Sequence, residues 1–122
     1  MDVIYTDLSK AFDRVNQCML MSKLRIYGIS DELIMLLKSV ITNRVQYVEY
    51  NGHNSKKFKI SQGVIQGSNL GPLLFVLFFN DVLENLNCRA SIYADDVKIV
   101  GVKNSTADCF NLQENLDRLL LW

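Results

Sequence analysis

Ala90-Ser91-Ile92-Tyr93-Ala94-Asp95-Asp96-Val97-Lys98-Ile99-Val100 is the stretch whose reading decides the fold. Both flanks are short, β-branched and apolar, which predicts two strands joined by a tight turn. The turn then carries two adjacent carboxylates on the tip of a hairpin. At roughly 4 Å and an effective dielectric near 20, two such anions repel by about 4 kcal/mol. A solvated Asp-Asp in a turn is also ordinary, because Asp favours turns. Taken alone, the pair leaves both readings open.

The rest of the chain narrows the choice. Val3-Ile4-Tyr5 runs into Thr6-Asp7, a short strand ending in a carboxylate, and residues 8–13 turn the chain. Leu20, Leu24 and Tyr27 fall at helical spacing over residues 17–27, with Gly28 as the stop. Ser30 is placed to cap a second helix, with Asp31 and Glu32 in its first turn. That helix is expected to carry Leu33, Leu36, Leu37 and Val40 on one face. Residues 44–50 and 56–60 predict a hairpin across Asn51-Gly52. In its second strand Phe58 and Ile60 point one way, Lys57 and Lys59 the other. Lys56, Lys57 and Lys59 read first as a solvated face, with a phosphate-contacting edge as the alternative.

Next comes Ser61-Gln62-Gly63-Val64-Ile65-Gln66-Gly67-Ser68-Asn69-Leu70-Gly71-Pro72, a loop whose three glycines let its backbone approach something closely. Ser68 or Asn69 should cap the following helix, with Pro72 in its first turn. That helix is apolar nearly all round and is expected to be central, reaching about Leu86. After the Asp95-Asp96 hairpin, Ser105-x-x-Asp108 opens an amphipathic helix through Phe110, Leu112, Leu116, Leu119 and Leu120 toward Trp122.

Without the basic hairpin the order is β-α-α-β-β-α, one strand short of the split β-α-β-β-α-β plan. The expected fold class is therefore α+β. In that plan the first strand neighbours the later hairpin, so Asp7 should lie beside Asp95 and Asp96. Three carboxylates gathered from two segments call for paired divalent cations, as in phosphoryl-transfer enzymes.

Composition excludes several classes. The chain has 122 residues, 49% of them apolar, so it can bury a core. Formal net charge is zero, yet residues 1–61 carry nine Lys/Arg against six Asp/Glu, and residues 62–122 four against seven. A basic half beside an acidic half suits a polyanion held near a metal site, and also fits chance. Cys18, Cys88 and Cys109 are odd in number and widely spaced, which argues against a disulfide framework or zinc knuckle and for a reducing compartment. Asp2 and Asp7 argue against a signal peptide. The apolar run of residues 70–79 holds Pro72 and is half the length of a membrane span. His53 reads as an exposed loop residue.

Residues 7–13 (Asp7-Leu8-Ser9-Lys10-Ala11-Phe12-Asp13), residues 63–75 and Tyr93-Ala94-Asp95-Asp96 resemble, in order and spacing, motifs A, B and C of reverse transcriptases. The wording is nearest to non-LTR retrotransposons, with group II intron enzymes next. The resemblance implies a polymerase palm, of split ferredoxin-like type, with an inserted basic hairpin. It implies RNA-directed DNA synthesis by two-metal nucleotidyl transfer from a dNTP to a DNA primer on an RNA template.

Asp7 and Asp95 resemble the ligands of two Mg2+ ions, for which Mn2+ substitutes, with Asp96 a supporting carboxylate. The backbone of Leu8, Ser9, Lys10 and Ala11 would face the triphosphate, and Phe12 would lie under the sugar of the incoming nucleotide. Gln66, with Gly63, Gly67 and Ser68, would track the template and nascent base pair, and Tyr93 would pack near the primer end. Phe12 and Tyr93 also read as plain core aromatics.

The chain departs from the family's pattern at Ile65, where Pro is common, at Asn16-Gln17, where an acidic residue and His often stand, and at Asn69, which replaces an aliphatic residue. Residues 1–122 are expected to be a partial reverse transcriptase domain, the palm with motifs A to C, without fingers or thumb. The expected setting is intracellular, in nucleus or cytoplasm, with no membrane partner. Two rival readings are a non-catalytic remnant and an RNA-directed RNA polymerase palm. Ala94, where such polymerases usually have Gly, and Phe12 argue against the second.

Overall fold

The computed structural model describes residues 1–102 and 104–121. The chain begins with strand β1 (Asp2–Asp7), followed by helices α1 (Ala11–Arg14), α2 (Gln17–Ile26) and α3 (Asp31–Ile41). Four short strands come next: β2 (Arg44–Gln46), β3 (Glu49–Tyr50), β4 (His53–Asn54) and β5 (Phe58–Ile60). Helix α4 (Leu70–Phe79) runs into a 3-10 turn (Asn80–Asn85). Strands β6 (Arg89–Tyr93) and β7 (Asp96–Gly101) and helix α5 (Thr106–Leu121) complete the order. The mixed α and β composition follows the expectation.

Two compact units result, one of residues 1–10 with residue 79 onward, the other of residues 11–78. The first unit is built on a three-stranded antiparallel sheet in the order β1-β7-β6. Residues directly opposed across a ladder share a face of the sheet. Ile4 opposes Ile99 and Thr6 opposes Val97, while Val3, Tyr5 and Asp7 oppose Val100, Lys98 and Asp96. Val97 and Ile99 are fully buried, and α5 packs against β7. Burying two such side chains contributes about 1.5–3 kcal/mol each, which fixes which face of the sheet turns inward.

Helix α5 turns Leu112, Leu116 and Leu119 of its expected face inward, but the stripe is rotated to include Asn115. Its inward stripe is Leu112, Asn115, Leu116 and Leu119, whereas Phe110 and Leu120 are 77% and 75% exposed. Asn115 explains the rotation: its Oδ1 accepts from the Asn87 amide at 2.7 Å, and its Nδ2 donates to the Asn111 carbonyl at 2.7 Å. A buried amide satisfied in this way holds one rotation of the helix, and apolar periodicity does not register it. Trp122, toward which the helix was expected to run, lies outside the described residues.

The capping box that opens α5 is formed. The Asp108 amide donates to Ser105 Oγ, while Asp108 Oδ2 accepts from the amides of Asn104 and Ser105 and from the Ser105 hydroxyl. These bonds, the Asn104 amide foremost, hold the Asp108 carboxyl below its usual range. A depressed folded-state pKa stabilises the fold above the unfolded value, near 3.9, and that contribution fades as pH falls through the folded value. Melting temperatures of the native chain and Asp108→Ala should therefore differ at pH 7 and converge as pH falls below the unfolded value, near 3.9. A difference independent of pH would show that the carboxylate charge plays no part.

In the second unit α2 and α3 pack against each other. Asn16 Oδ1 caps α2 through the amides of Cys18 and Met19, and Ser30 Oγ caps α3 through the amide of Leu33. The buried stripe of α3 is Ile34, Leu37 and Ile41, while Leu33, Leu36 and Val40 of the expected face are largely exposed. Residues 33–37 are all apolar, so their periodicity admits both stripes.

The expected hairpin forms as two short ladders, β2 with β5 and β3 with β4. Between them Tyr47 and Val48 face three residues, 55–57, and that one-residue excess is a bulge that interrupts the pairing. Asn51 and Gly52, at φ 49° and 77°, make the tight turn. Helix α4 stops at Phe79 rather than near Leu86, where Asn80 and Asp81 begin the tighter 3-10 winding; both residue types compete for backbone hydrogen bonds.

Candidate active site

Asp7 ends β1 and Asp96 begins β7, and the two are register partners across the ladder. Directly opposed residues bring their Cβ atoms within roughly 4.5–5.5 Å. Ala94 and Asp95 form the turn between β6 and β7, and the Leu8 amide donates to the Asp95 carbonyl at 3.3 Å. The ladder thus continues one step beyond Asp7, which holds the first strand's end against the hairpin tip.

Tyr93 is the other register partner of Asp96 and is 84% exposed, so it is not a core aromatic. On the same face Lys98 Nζ lies 5.5 Å from the centre of the Tyr5 ring. Asp7 and Asp96 are exposed and Asp95 is half-buried.

The three carboxylates gather at one end of the sheet, yet no three acidic, His or Cys side chains form a metal cage among the described residues. Among the described residues none of the three makes an ion pair. The donor set is oxygen only, which fits a hard divalent cation of the Mg2+ kind, commonly held by one or two carboxylates together with substrate phosphates.

Ala94 has a φ of 52°, a left-handed value normally reserved for Gly in such a turn. For an L-residue with a Cβ that conformation costs about 1–2 kcal/mol. Ala94→Gly should relieve it and, after the extra chain entropy of Gly, stabilise the hairpin by about 1 kcal/mol. Denaturant unfolding checks this, and a loss of stability would mean that the Ala methyl makes a contact worth more than the strain.

The remaining candidates divide between the two units. Leu8, Ser9 and Lys10 follow β1, with Lys10 at a φ of 56°, and the Leu8 amide is committed to Asp95. Ala11 and Phe12 open α1 in the second unit. The half-buried Phe12 ring stacks on Phe75 of α4, with centroids 4.5 Å apart and planes at 25°.

The glycine loop makes its close approaches to the chain's own backbone. Gly63 has a φ of 81°, and a Cβ there would stand 2.8 Å from the Phe12 carbonyl oxygen. At Gly71 a Cβ would collide with the Ile65 carbonyl oxygen. Ser68 Oγ accepts from the Gly71 amide and donates to the Ile65 carbonyl, which closes the loop on itself ahead of α4. Gly67 alone, at φ 77°, has open space beside it.

Gln66 is exposed, and its Nε2 donates to Asp13 Oδ1 at 2.8 Å. Beside the loop lies a cleft of about 570 Å³ lined by Asp13, Arg44, Phe58, Lys59, Gln62 and Gln66, among others. Asp13 was read only as part of motif A, Gln17 only as a departure beside it and Arg44 only as the start of a strand; none was given a role at the site. A Gln at the start of a helix gives no signal of burial; only its proximity to motif A could have drawn attention to it.

The family model described as Reverse transcriptase (RNA-dependent DNA polymerase) matches residues 3–122. The RNA-directed DNA polymerase from mobile element jockey of Drosophila melanogaster is 30% identical over 97% of this chain, and its Drosophila funebris counterpart 32% over 97%. The Retrovirus-related Pol polyprotein from type-1 retrotransposable element R2 of Popillia japonica is 31% identical over 70% of the chain. The chain spans about 14% of the length of each of these relatives. Among the described residues no helix is long and apolar enough to cross a membrane.

Proposed function

The chain belongs to the reverse transcriptase family, and from that premise we propose that it forms the palm of an RNA-directed DNA polymerase of a non-LTR retrotransposon. The observation that carries this reading is the register pairing of Asp7 with Asp96 beside Asp95 in the hairpin turn. The three-stranded order β1-β7-β6 with α5 supports a split β-α-β palm, in which the β2–β5 segment would be the inserted basic hairpin.

Asp7 and Asp95 would hold two Mg2+ ions, with Mn2+ as a substitute, and Asp96 would add negative potential at the same end of the sheet. When bound, such ions supply activation of the primer 3′-hydroxyl and charge neutralisation at the leaving pyrophosphate. With the Leu8 amide engaged in the ladder, the amides of Ser9, Lys10 and Ala11 remain to face the triphosphate. Phe12, stacked on Phe75, lies under the sugar. The Gly63–Gly67–Ser68 backbone and Gln66 follow the template and nascent pair. Tyr93, beside Asp96 on the exposed face, contacts the primer end. The substrates are thus an RNA template, a DNA primer and dNTPs. Three free cysteines suit an intracellular, reducing setting.

The test is primer extension by the full-length protein that carries this chain, on an RNA template with Mg2+. Incorporation of dNTPs in preference to rNTPs is the expected result. Preferential use of rNTPs would point instead to an RNA-directed RNA polymerase, and no extension with either set would point to a non-catalytic remnant.

A further inference from the structure

Gln17 is 93% buried, being 7% exposed, and an uncharged polar side chain at such a depth must have its hydrogen bonds made inside the protein. Its Nε2 donates to two carbonyl oxygens, those of Ile41 and Gly63, both at 3.0 Å. Arg44 reaches the same two oxygens from the other side: its Nε donates to Ile41 at 2.9 Å and its Nη2 to Gly63 at 3.1 Å. Each carbonyl therefore accepts twice, and each side chain bridges both. The Ile41 carbonyl belongs to the last residue of α3, where a helix leaves its acceptors without partners and favours a cation. The Gly63 carbonyl belongs to the first glycine of the loop.

The same node is tied to the chain after motif A by backbone. The Gly63 amide donates to Val15 at 2.8 Å and the Val64 amide to Phe12 at 2.9 Å. Gly63 also lies too close to Phe12 and Asp13 to admit a Cβ. The start of α2, the end of α3, the first residue of β2 and the mouth of the glycine loop thus meet in four side-chain hydrogen bonds.

We infer that Gln17 and Arg44 are positioning residues: they clamp the mouth of the glycine loop so that its exposed crest, Gln66 and Gly67, meets nucleic acid with a fixed backbone. The functional half of this inference rests on the reading of the loop as template-facing; the clamp itself does not. A loop held before binding loses less freedom on binding, so releasing the clamp should weaken template–primer affinity far more than turnover.

Gln17→Met keeps the length of the side chain and removes both donors. Hydrogen exchange at the Gly63 and Val64 amides should accelerate about tenfold or more, while the Val97 and Ile99 amides of the other unit keep native rates. Gln17→His, which offers one ring N–H, should recover part of the protection. Arg44→Lys runs the same test from the half-exposed side should Gln17→Met fail to fold. Native rates at Gly63 and Val64, or equal acceleration at all four amides, would overturn the clamp.

In the full-length protein, Gln17→Met should raise the KM for template–primer about tenfold with kcat within about twofold. Local release of the loop with unchanged KM would overturn the positioning role. A wild-type protein without any primer extension, combined with local release in Gln17→Met, would overturn the polymerase reading and leave the clamp standing.

Discussion

Asp7→Ala is expected to reduce primer extension by the full-length protein about 10³-fold or more, for dNTPs and rNTPs alike, with the fold intact. Asp7 sits at the exposed end of β1, opposite Asp96, so the substitution buries nothing and leaves no group unsatisfied. It should even ease a like-charge contact, and surface changes of this kind usually shift stability by less than about 0.5 kcal/mol. The loss at the transition state is of another order. Lewis-acid stabilisation of a phosphoryl group contributes several kcal/mol, and each 1.36 kcal/mol is about tenfold in rate. Single-turnover incorporation, paired with thermal unfolding of the same preparation, separates the two effects. A variant that keeps a tenth of the native rate would remove Asp7 from the site.

The second large effect concerns sugar selection. With Phe12 under the nucleotide, a 2′-hydroxyl would be pressed against apolar carbon, losing water without gaining a partner, at a cost of about 1–3 kcal/mol. Phe12→Ala should therefore raise the ratio of kcat/KM for an rNTP over its matched dNTP by about 5- to 150-fold. The stack on Phe75 complicates the experiment, because the same substitution also removes an aromatic pair worth about 0.5–1.5 kcal/mol beyond its buried area. Phe75→Leu is the control: it removes the pair while leaving the Phe12 ring, and it should cost stability without changing the ratio. An unchanged ratio in Phe12→Ala would make Phe12 a packing residue only.

Much of this was legible in the chain itself. Short β-branched, apolar runs at residues 3–6 and 97–100, turn chemistry at Asn51-Gly52 and caps at Ser30 and Ser105 are local rules, and local rules can be read from neighbouring residues. They place the strands and helices and put Asp7 and Asp96 beside each other, because the order of elements leaves few topologies for a short sheet. Other features depend on partners distant in sequence. Residues 33–37 are apolar without a break, and packing against α2 chose Ile34, Leu37 and Ile41 over the neighbouring stripe. Asn115 set the rotation of α5 through an amide 28 positions away.

The glycine loop shows the same division. Its glycines announced a close approach, but only the tertiary structure decided that Gly63 and Gly71 approach the protein's own backbone and that Gly67 is left open. Gln17 stood out only as a departure from the family's pattern and Arg44 only as the start of a strand, since a hydrogen bond across 46 residues has no period. The candidate residues for chemistry were therefore legible in the sequence alone. Which of them are held, and by what, was decided by buried polar groups that must find partners wherever the fold puts them.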